Sequence, residues 1–496
     1  MSEVLWGILP VAGMGLAACL LFLLAAVLKS GRTMGVLGIL AILGLGGVPV
    51  FLLWGQNPAA PGFATVAGQS LPLLLSCDSL ALFFDGLFVL AGVLVMALSL
   101  DYFDKKKAHH PELYGFIALA VTGMMSIGSA TNLITFYLGL ETMSISFYIL
   151  AGFLRSHENS VEASLKYFLL GAFSSAFLLM GMAFLYGSSA SLNFGGMAVA
   201  FKTGALPLGE PMLVAGFFLF LVGLSFKLSL IPFHFWAPDV YQGAPTPVTA
   251  LMAVGGKTAA AAGAIRIFLS VFSASPMLSQ RWMSVFVFLG LVTIFVGAMI
   301  ALTQRHIKRL LAYSSIVHAG FIALGIGALA IVPLRQQMLS ALLFYLAAYL
   351  FMNIGAFSVA AAVERPENHD ETLRSYSGLG TSSPYLAALF SIFMLSLAGI
   401  PLTAGFLGKF YVFGALVKGG YIWTAALGLL GAVIATYYYL KVVVTLYFPS
   451  PGEDPAPAPA VTPVTLCIIT LTGIATVYLG IFPGLVTDLL KGIGIG

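Results

Sequence analysis

The chain has 496 residues, of which 60% are hydrophobic and only 8% charged, with 22 basic against 18 acidic groups. Its mean hydropathy is +1.03. Soluble domains carry roughly 25% charged residues, so this composition excludes a soluble enzyme, a nucleic-acid binder and a disordered chain, and points to a polytopic membrane protein.

A helix needs about 20 apolar residues to cross some 30 Å of hydrocarbon. Runs of that kind fall at 4–28, 33–54, 78–100, 113–130, 132–154, 162–188, 212–238, 248–272, 283–303, 310–332, 338–362, 384–417, 421–447 and 462–487, which makes fourteen predicted spans. The first is not expected to be a cleaved signal peptide, because its short leader carries Glu3 and no cation. The runs are continuous rather than alternating, which excludes a β-barrel. Cys19, Cys77 and Cys467 stand apart, with no spacing suited to a disulfide framework, zinc or an iron–sulfur cluster. With an even number of spans both termini share one side. Twelve loop cations, among them Lys29, Arg32, Lys105, Lys106, Lys107 and Arg365, fall on the opposite side, and six on the termini side. Positive charge marks the cytoplasmic side, so both termini are expected outside the cytoplasm.

The four remaining cations, Lys166, Lys227, Lys257 and Lys409, fall within predicted spans, as does Glu141. Glu141 is the tenth residue of its run, about 14 Å deep at 1.5 Å per residue. Lys227 and Lys257 are also far from the ends of theirs. A charge at mid-depth costs at least ~2.5–3.5 kcal/mol, an odd expense for a passive scaffold. The plain alternative is a set of structural ion pairs between helices. Lys166 has Glu162 four residues before it, a spacing that suits an ordinary helical pair. Asp78 and Asp85, seven apart on one face, are expected to be structural or to meet a neighbouring subunit.

Two runs are interrupted. The seventh reads Lys227-Leu-Ser-Leu-Ile-Pro232-Phe-His234, and the twelfth Leu395-Ser-Leu-Ala-Gly-Ile-Pro401 before Lys409. Proline removes a donor and clashes with the preceding turn, so each helix is expected to break there. The two interruptions resemble each other and lie five spans apart, so repeated five-helix units would be inverted, as in many ion transporters. Polar residues extend the line. Tyr137, Glu141, Ser144 and Tyr148 share one helical face, Tyr345, Tyr349 and Asn353 another, and His318 sits mid-span, either as a packing residue or as a relay member.

Pro232-Phe-His-Phe-Trp-Ala-Pro-Asp-Val-Tyr-Gln-Gly-Ala-Pro-Thr-Pro-Val248 closely resembles the subunit N family of bacterial NADH:quinone oxidoreductase, respiratory complex I. So do Leu138-Gly-Leu-Glu141-Thr-Met-Ser, Leu165-Lys166-Tyr-Phe-Leu-Leu-Gly-Ala-Phe-Ser-Ser and Arg309-Leu-Leu-Ala-Tyr-Ser-Ser-Ile-Val-His318, and the likeness runs end to end. Related antiporter-like subunits L and M and Mrp-type antiporters usually show a His-x-Trp-Leu-Pro-x-Ala-His pattern where this chain has Asp239-Val-Tyr-Gln-Gly, and Gln242 stands where many relatives carry glutamate.

The resemblance implies an all-α membrane fold of about 14 helices with two inverted five-helix repeats, spans 4–8 and 9–13, in which helices 7 and 12 are broken. The implied division is 1–112 for the first three helices, 113–272 and 283–447 for the repeats, and 462–496 for the last helix. Glu141 would be the acid paired with Lys227, Lys257 the central lysine and Lys409 the terminal one. Lys166 and His318 match further family positions. The implied activity is proton translocation as part of a proton-pumping enzyme, with a sodium/proton antiporter subunit of the Mrp type as the alternative. No cofactor is expected on this chain: FMN, iron–sulfur clusters, NADH and quinone would belong to partner subunits, and the sequence shows no GxGxxG fingerprint or cysteine cluster. Implied partners are subunits M, K and J and the lipid of a bacterial inner membrane, with no nucleic acid.

Overall fold

The computed structural model describes residues 2–54, 63–66, 69–72, 74–108, 110–204, 209–364, 372–449 and 456–493. Arg365, counted above among the loop cations, lies outside them. Among the described residues, twelve helices are long and apolar enough to cross a membrane: Ile8–Val27, Gly31–Trp54, Ser79–Lys105, Leu133–Ala151, Glu158–Ser189, Gly209–Leu228, Thr246–Ala274, Met277–Leu302, Ile307–Ala328, Val332–Val363, Ile422–Tyr447 and Pro463–Ile481. Two shorter apolar helices, Leu113–Ser129 and Pro384–Ala398, take the fourth and twelfth places and complete the fourteen spans. They are numbered in chain order below.

Spans 3 and 6 extend past their apolar runs, to Lys105 and back to Glu158. Hydropathy marks only the part of a helix that hydrocarbon surrounds, and a helix continues into the polar boundary where its side chains can reach water. Caps fix several starts: Asp78 accepts from the Ala81 amide at 2.8 Å, and Asn132 from the Thr135 amide at 2.8 Å. Several short elements have no counterpart in the sequence reading, and two of them lie in the first half of the chain. One is an antiparallel hairpin of Phe63–Val66 with Gln69–Pro72; the other is a short helix, Phe194–Thr203, between spans 6 and 7.

Both predicted breaks are present. Span 7 stops at Leu228 and resumes as a helix over Trp236–Gly243. Span 12 stops at Ala398 and resumes over Ala404–Lys418. Left-handed backbone marks each gap, with Ser229 at φ 59° in the first and Gly399 at φ 92° in the second. Corresponding spans of the two five-helix units lie five crossings apart and so run in opposite directions.

Spans 8, 10 and 11 form the centre, 94%, 100% and 94% buried, whereas span 1 is 28% buried and exposes a broad apolar face. Close helix approach depends on small residues. A Cβ on Gly123 would lie 2.5 Å from the Met143 amide nitrogen, so spans 4 and 5 meet there backbone to backbone. A Cβ on Gly181 would lie 2.4 Å from the Phe220 amide nitrogen and force spans 6 and 7 apart.

A charged staple closes the bundle on the cation-rich face. Glu364, just past the end of span 11, pairs with Lys106 at 2.7 Å and accepts from the hydroxyls of Tyr102 at 2.9 Å and Thr246 at 2.6 Å. Lys105 donates to the carbonyls of Ala362 and Glu364, and Lys308 to that of Ala244 at 3.1 Å. One carboxylate thus ties together spans 3, 8, 10 and 11. Burial alone would push the Glu364 carboxyl up, but the Lys308 and Lys106 ammonium groups together outweigh it and hold the carboxyl well below its ordinary value. The stability this gives is therefore present above the ordinary carboxylate range and lost as pH falls through the lowered value. Glu364→Gln leaves buried cations without their counter-charge, a change that costs about 3–5 kcal/mol. Thermal unfolding in detergent should show a lowered midpoint at neutral pH, with the gap to the parent protein narrowing as the medium is acidified.

Candidate functional site

The interior polar groups fall into three clusters. The first surrounds Lys227, 5% exposed at the last turn of span 7 before its break. Its Nζ donates to Ser144 Oγ at 2.7 Å and reaches the Tyr148 hydroxyl at 3.5 Å, both from span 5, and lies 5.8 Å from the ring centres of Tyr148 and Phe226. Glu141, one turn before Ser144, is only half-buried. It accepts a 2.5 Å hydrogen bond from Ser175 of span 6. No ion pair joins Glu141 to Lys227 among the described residues; the carboxylate acts on the ammonium through space. The face read from the sequence thus divides, with Ser144 and Tyr148 turned to the lysine and Glu141 toward the flank.

Lys257 is 1% exposed at the centre of span 8. It directly follows a π-helical turn, Met252–Gly256, which widens the backbone at this point. Its Nζ donates to Ser315 Oγ at 2.6 Å and lies 5.8 Å from the ring centre of Tyr241. Ser315 bonds to the Tyr349 hydroxyl at 2.7 Å. No side-chain hydrogen bond joins the Lys227 and Lys257 clusters among the described residues. The stacked Tyr167 and Trp236 rings and the ring of Tyr241 occupy the space between.

His318, fully buried on span 10, continues the line. Its Nδ1 meets the Tyr345 hydroxyl at 2.5 Å and its Nε2 the Tyr439 hydroxyl at 3.3 Å, and Tyr439 also bonds to Ser314 at 2.5 Å. Lys409 lies beyond, 6% exposed, with its Nζ 5.2 Å from the centre of the Phe321 ring. It donates to the carbonyls of Leu397 at 2.7 Å and Ala398 at 2.9 Å. These are carbonyls freed by the break in span 12, and a cation at a helix C-terminus is favourably placed against its dipole. His318 neighbours the same Leu397 carbonyl.

The structure thus brings Lys257, His318 and Lys409 into one buried polar row and sets Lys227 beside it. Lys166 stands apart. Its side chain is 43% exposed and pairs with Glu162 at 2.7 Å, as its spacing predicts, and with Asp239 at 2.9 Å. Asp239, on the helix that follows the first break, also holds Arg309 at 2.7 Å, so Lys166 belongs to a polar bridge at the rim. The Asp239 carboxyl would be raised by its burial, but Lys166 and Arg309 hold it below its ordinary value. Asn353 bonds to the Tyr349 carbonyl of its own helix and takes no part in the row.

Sequence reasoning missed Ser315, Ser314, Tyr439 and Ser175. A signal existed for two of them, since Ser314 and Ser315 lie four and three residues before His318 and share its face. Among the described residues no group of His, Cys, Asp and Glu could hold a metal ion.

Residues 130–435 match the family described as NADH:quinone oxidoreductase/Mrp antiporter, TM. The chain is 41% identical over 485 residues, 97% of its length and 93% of the relative's, to NADH-quinone oxidoreductase subunit N of Trichlorobacter lovleyi. A solved structure of respiratory complex I from Thermus thermophilus with bound aureothin contains a chain of the same fold, with a TM-score of 0.79 at 31% identity, covering 98% of this chain and 100% of that one. A chain of the Mrp complex from a Dietzia species shares the fold, with a TM-score of 0.84 at 20% identity over 99% of this chain and 97% of that one. Fourteen spans, two broken helices, a buried lysine–histidine row and this degree of identity together place the chain in the NADH-quinone oxidoreductase subunit N family.

Proposed function

We propose that this chain is the proton-translocating membrane subunit N of an NADH-quinone oxidoreductase and that Lys227, Lys257, His318 and Lys409 carry the protons. The observation that supports this most directly is the row Lys257–Ser315–Tyr349, followed by Tyr345–His318–Tyr439 and Lys409, held in spans 8 and 10 to 13 with every named member buried. Each ammonium in it is solvated by hydroxyls or carbonyls rather than locked to a carboxylate, so it can lose a proton without stranding a counter-ion.

A proton would enter from the cytoplasm past Lys227, continue through Lys257 and His318 to Lys409, and leave on the far side. A cavity of about 290 Å³ on the cation-rich face, lined by Tyr102, Lys106, His157, Lys308 and Glu364 among others, supports access from that side. Glu141 acts as a movable counter-charge at the flank. Moving one charge against 100 mV costs ~2.3 kcal/mol, so an external driver is needed, and quinone reduction in partner subunits supplies it. Subunits M, K and J are its neighbours in the membrane, and the FMN, iron–sulfur clusters, NADH and quinone chemistry belong to other subunits of the complex. The chain lies in the bacterial inner membrane with both termini outside the cytoplasm. Residues 1–112 form the leading helices, 113–272 and 283–447 the two functional repeats, and 462–496 the closing helix. An Mrp-type sodium/proton antiporter is less well supported, because the Mrp likeness is one of fold at lower identity.

Mass spectrometry of the intact complex purified through this chain should recover flavin and iron–sulfur proteins with it; recovery of this protein alone, active as an ion exchanger, would overturn the assignment. Glu141→Gln should leave assembly unchanged while proton-coupled NADH oxidation falls, measured as turnover and pumping in membrane vesicles.

The lysines separate more sharply. Lys257→Ala removes a carrier that no neighbour replaces. Lys257→Arg keeps the charge but cannot release a proton at physiological pH, so both should lose most of the pumping per NADH oxidised in vesicles of equal complex content. Lys166→Ala, at the rim, should retain most of it. Normal pumping by Lys257→Arg would mean a purely structural charge.

A further inference from the structure

Asp85 and its surroundings are not accounted for by the row above. Asp78 caps the start of span 3 at the termini face, and Asp85 lies seven residues further in, about 10 Å deeper at 1.5 Å per residue. Both lie toward Arg266 of span 8. Arg266 forks onto Asp78, with Nη1 at 2.8 Å from one carboxylate oxygen and Nη2 at 2.7 Å from the other, and its Nε donates to the Gly128 carbonyl at 2.6 Å. The guanidinium is therefore engaged with Asp78, which also accepts from Ser76 Oγ and the Ala81 amide.

Asp85 is left over. It is 1% exposed, and its buried Oδ1 has no hydrogen-bond partner among the described residues. The titratable or charged groups that face it are Arg266, Asp78 and, just before span 3, the Cys77 thiol. Two carboxyl groups thus share a single cation that geometry assigns to one of them. A buried ionised carboxylate without a partner is very costly, whereas a neutral carboxyl is much less so.

Its position relates it to the lysine row. A Cβ on Gly128 would lie 3.4 Å from the Phe84 Cβ and 4.0 Å from the Ala262 Cβ. Phe84, next to Asp85, is thus level with Ala262, which stands between Lys257 and Arg266 on span 8. Asp85 lies in the stretch that separates the central lysine from the termini face.

We propose that Asp85 is a proton-binding site on a branch from Lys257 to the termini face, with the Arg266–Asp78 pair as its fixed electrostatic gate. The resting, neutral Asp85 carboxyl first gives up its proton toward the termini side, and Arg266 balances the carboxylate left behind. A proton released by the Lys257 ammonium then re-forms the O–H bond at Asp85, while the Arg266 charge repels protons coming back. The site rests on proton movement through this chain as proposed above.

The test uses the intact oxidoreductase complex in proteoliposomes, with Asp85→Asn, Asp85→Glu and Lys257→Ala compared at equal complex content. Asparagine has the shape of a protonated aspartate but cannot exchange a proton. Asp85→Asn should therefore assemble normally and lose a clear part of the pumping per NADH, though less than Lys257→Ala, which feeds both routes, while Asp85→Glu retains most of it. Redox-induced infrared difference spectra of the parent complex should contain a deuterium-sensitive carboxylic-acid carbonyl band that Asp85→Asn lacks. Failure of Asp85→Asn to assemble would identify Asp85 as an ionised structural counter-charge and overturn the site. So would wild-type pumping by an assembled Asp85→Asn complex in which Lys257→Ala is impaired, with the function of the chain left standing. Unimpaired pumping by Lys257→Ala would remove the translocation reading and the site with it.

Discussion

Every ammonium group inside this bundle has to be solvated by the protein itself, and much of the architecture follows from that requirement. Lys409 illustrates it. Breaking span 12 frees the carbonyls of Leu397 and Ala398, which would be costly in a dry interior, and burying Lys409 is costly for the opposite reason. Placing the ammonium on the two carbonyls satisfies both. The helix break and the buried charge each make the other tolerable. At Lys257, where the span is continuous, the hydroxyl of Ser315 takes that role, oriented by Tyr349 behind it.

The same requirement explains which spans sit at the centre. Spans 8 and 10 carry Lys257, His318 and Ser315, span 11 carries Tyr345 and Tyr349, and these three are the most enclosed in the molecule. The outer spans, such as 1 and 13, present leucine and valine to lipid and carry no member of the row except Tyr439, which is fully buried. Charges needed for cohesion rather than for transport are kept at the two faces. Glu364 gathers the ends of four spans on one side, and Asp78 with Arg266 joins spans 3 and 8 on the other.

Much of this was legible in the sequence. The number of spans followed from run length, and both breaks from Pro232 and Pro401 within otherwise apolar stretches. The interior charges were legible because a lysine in an apolar run has so few inexpensive explanations. Partners were harder. The spacing of Glu141, Ser144 and Tyr148 placed them on one face, but not that Ser144 rather than Glu141 would touch Lys227; that depends on how spans 5 and 7 rotate against each other. Lys166 looked interior because its flanking residues are apolar, yet the helix begins early enough to bring it to the rim, where it meets Asp239. Ser314 and Ser315 were passed over because a serine in a membrane helix usually bonds to its own backbone, as Ser146 does; their spacing from His318 set the face they share, and the fold set their partners.

The wide turn at Met252–Gly256 has a consequence for how span 8 is wound. A π-helical turn accommodates one more residue than an α-helical turn over the same rise, and one residue corresponds to a rotation of roughly 100° about the axis. Everything after Gly256 is thereby swung by that angle relative to the first part of the span. Lys257 and Arg266 both lie after the turn, so a single feature of the backbone sets the azimuth of each. Wound as a plain α-helix, the same residues would carry the lysine away from Ser315 and the guanidinium away from Asp78 together. The mid-membrane contact and the one at the termini face are therefore phased as a unit, and a change in helical register here would disengage both at once.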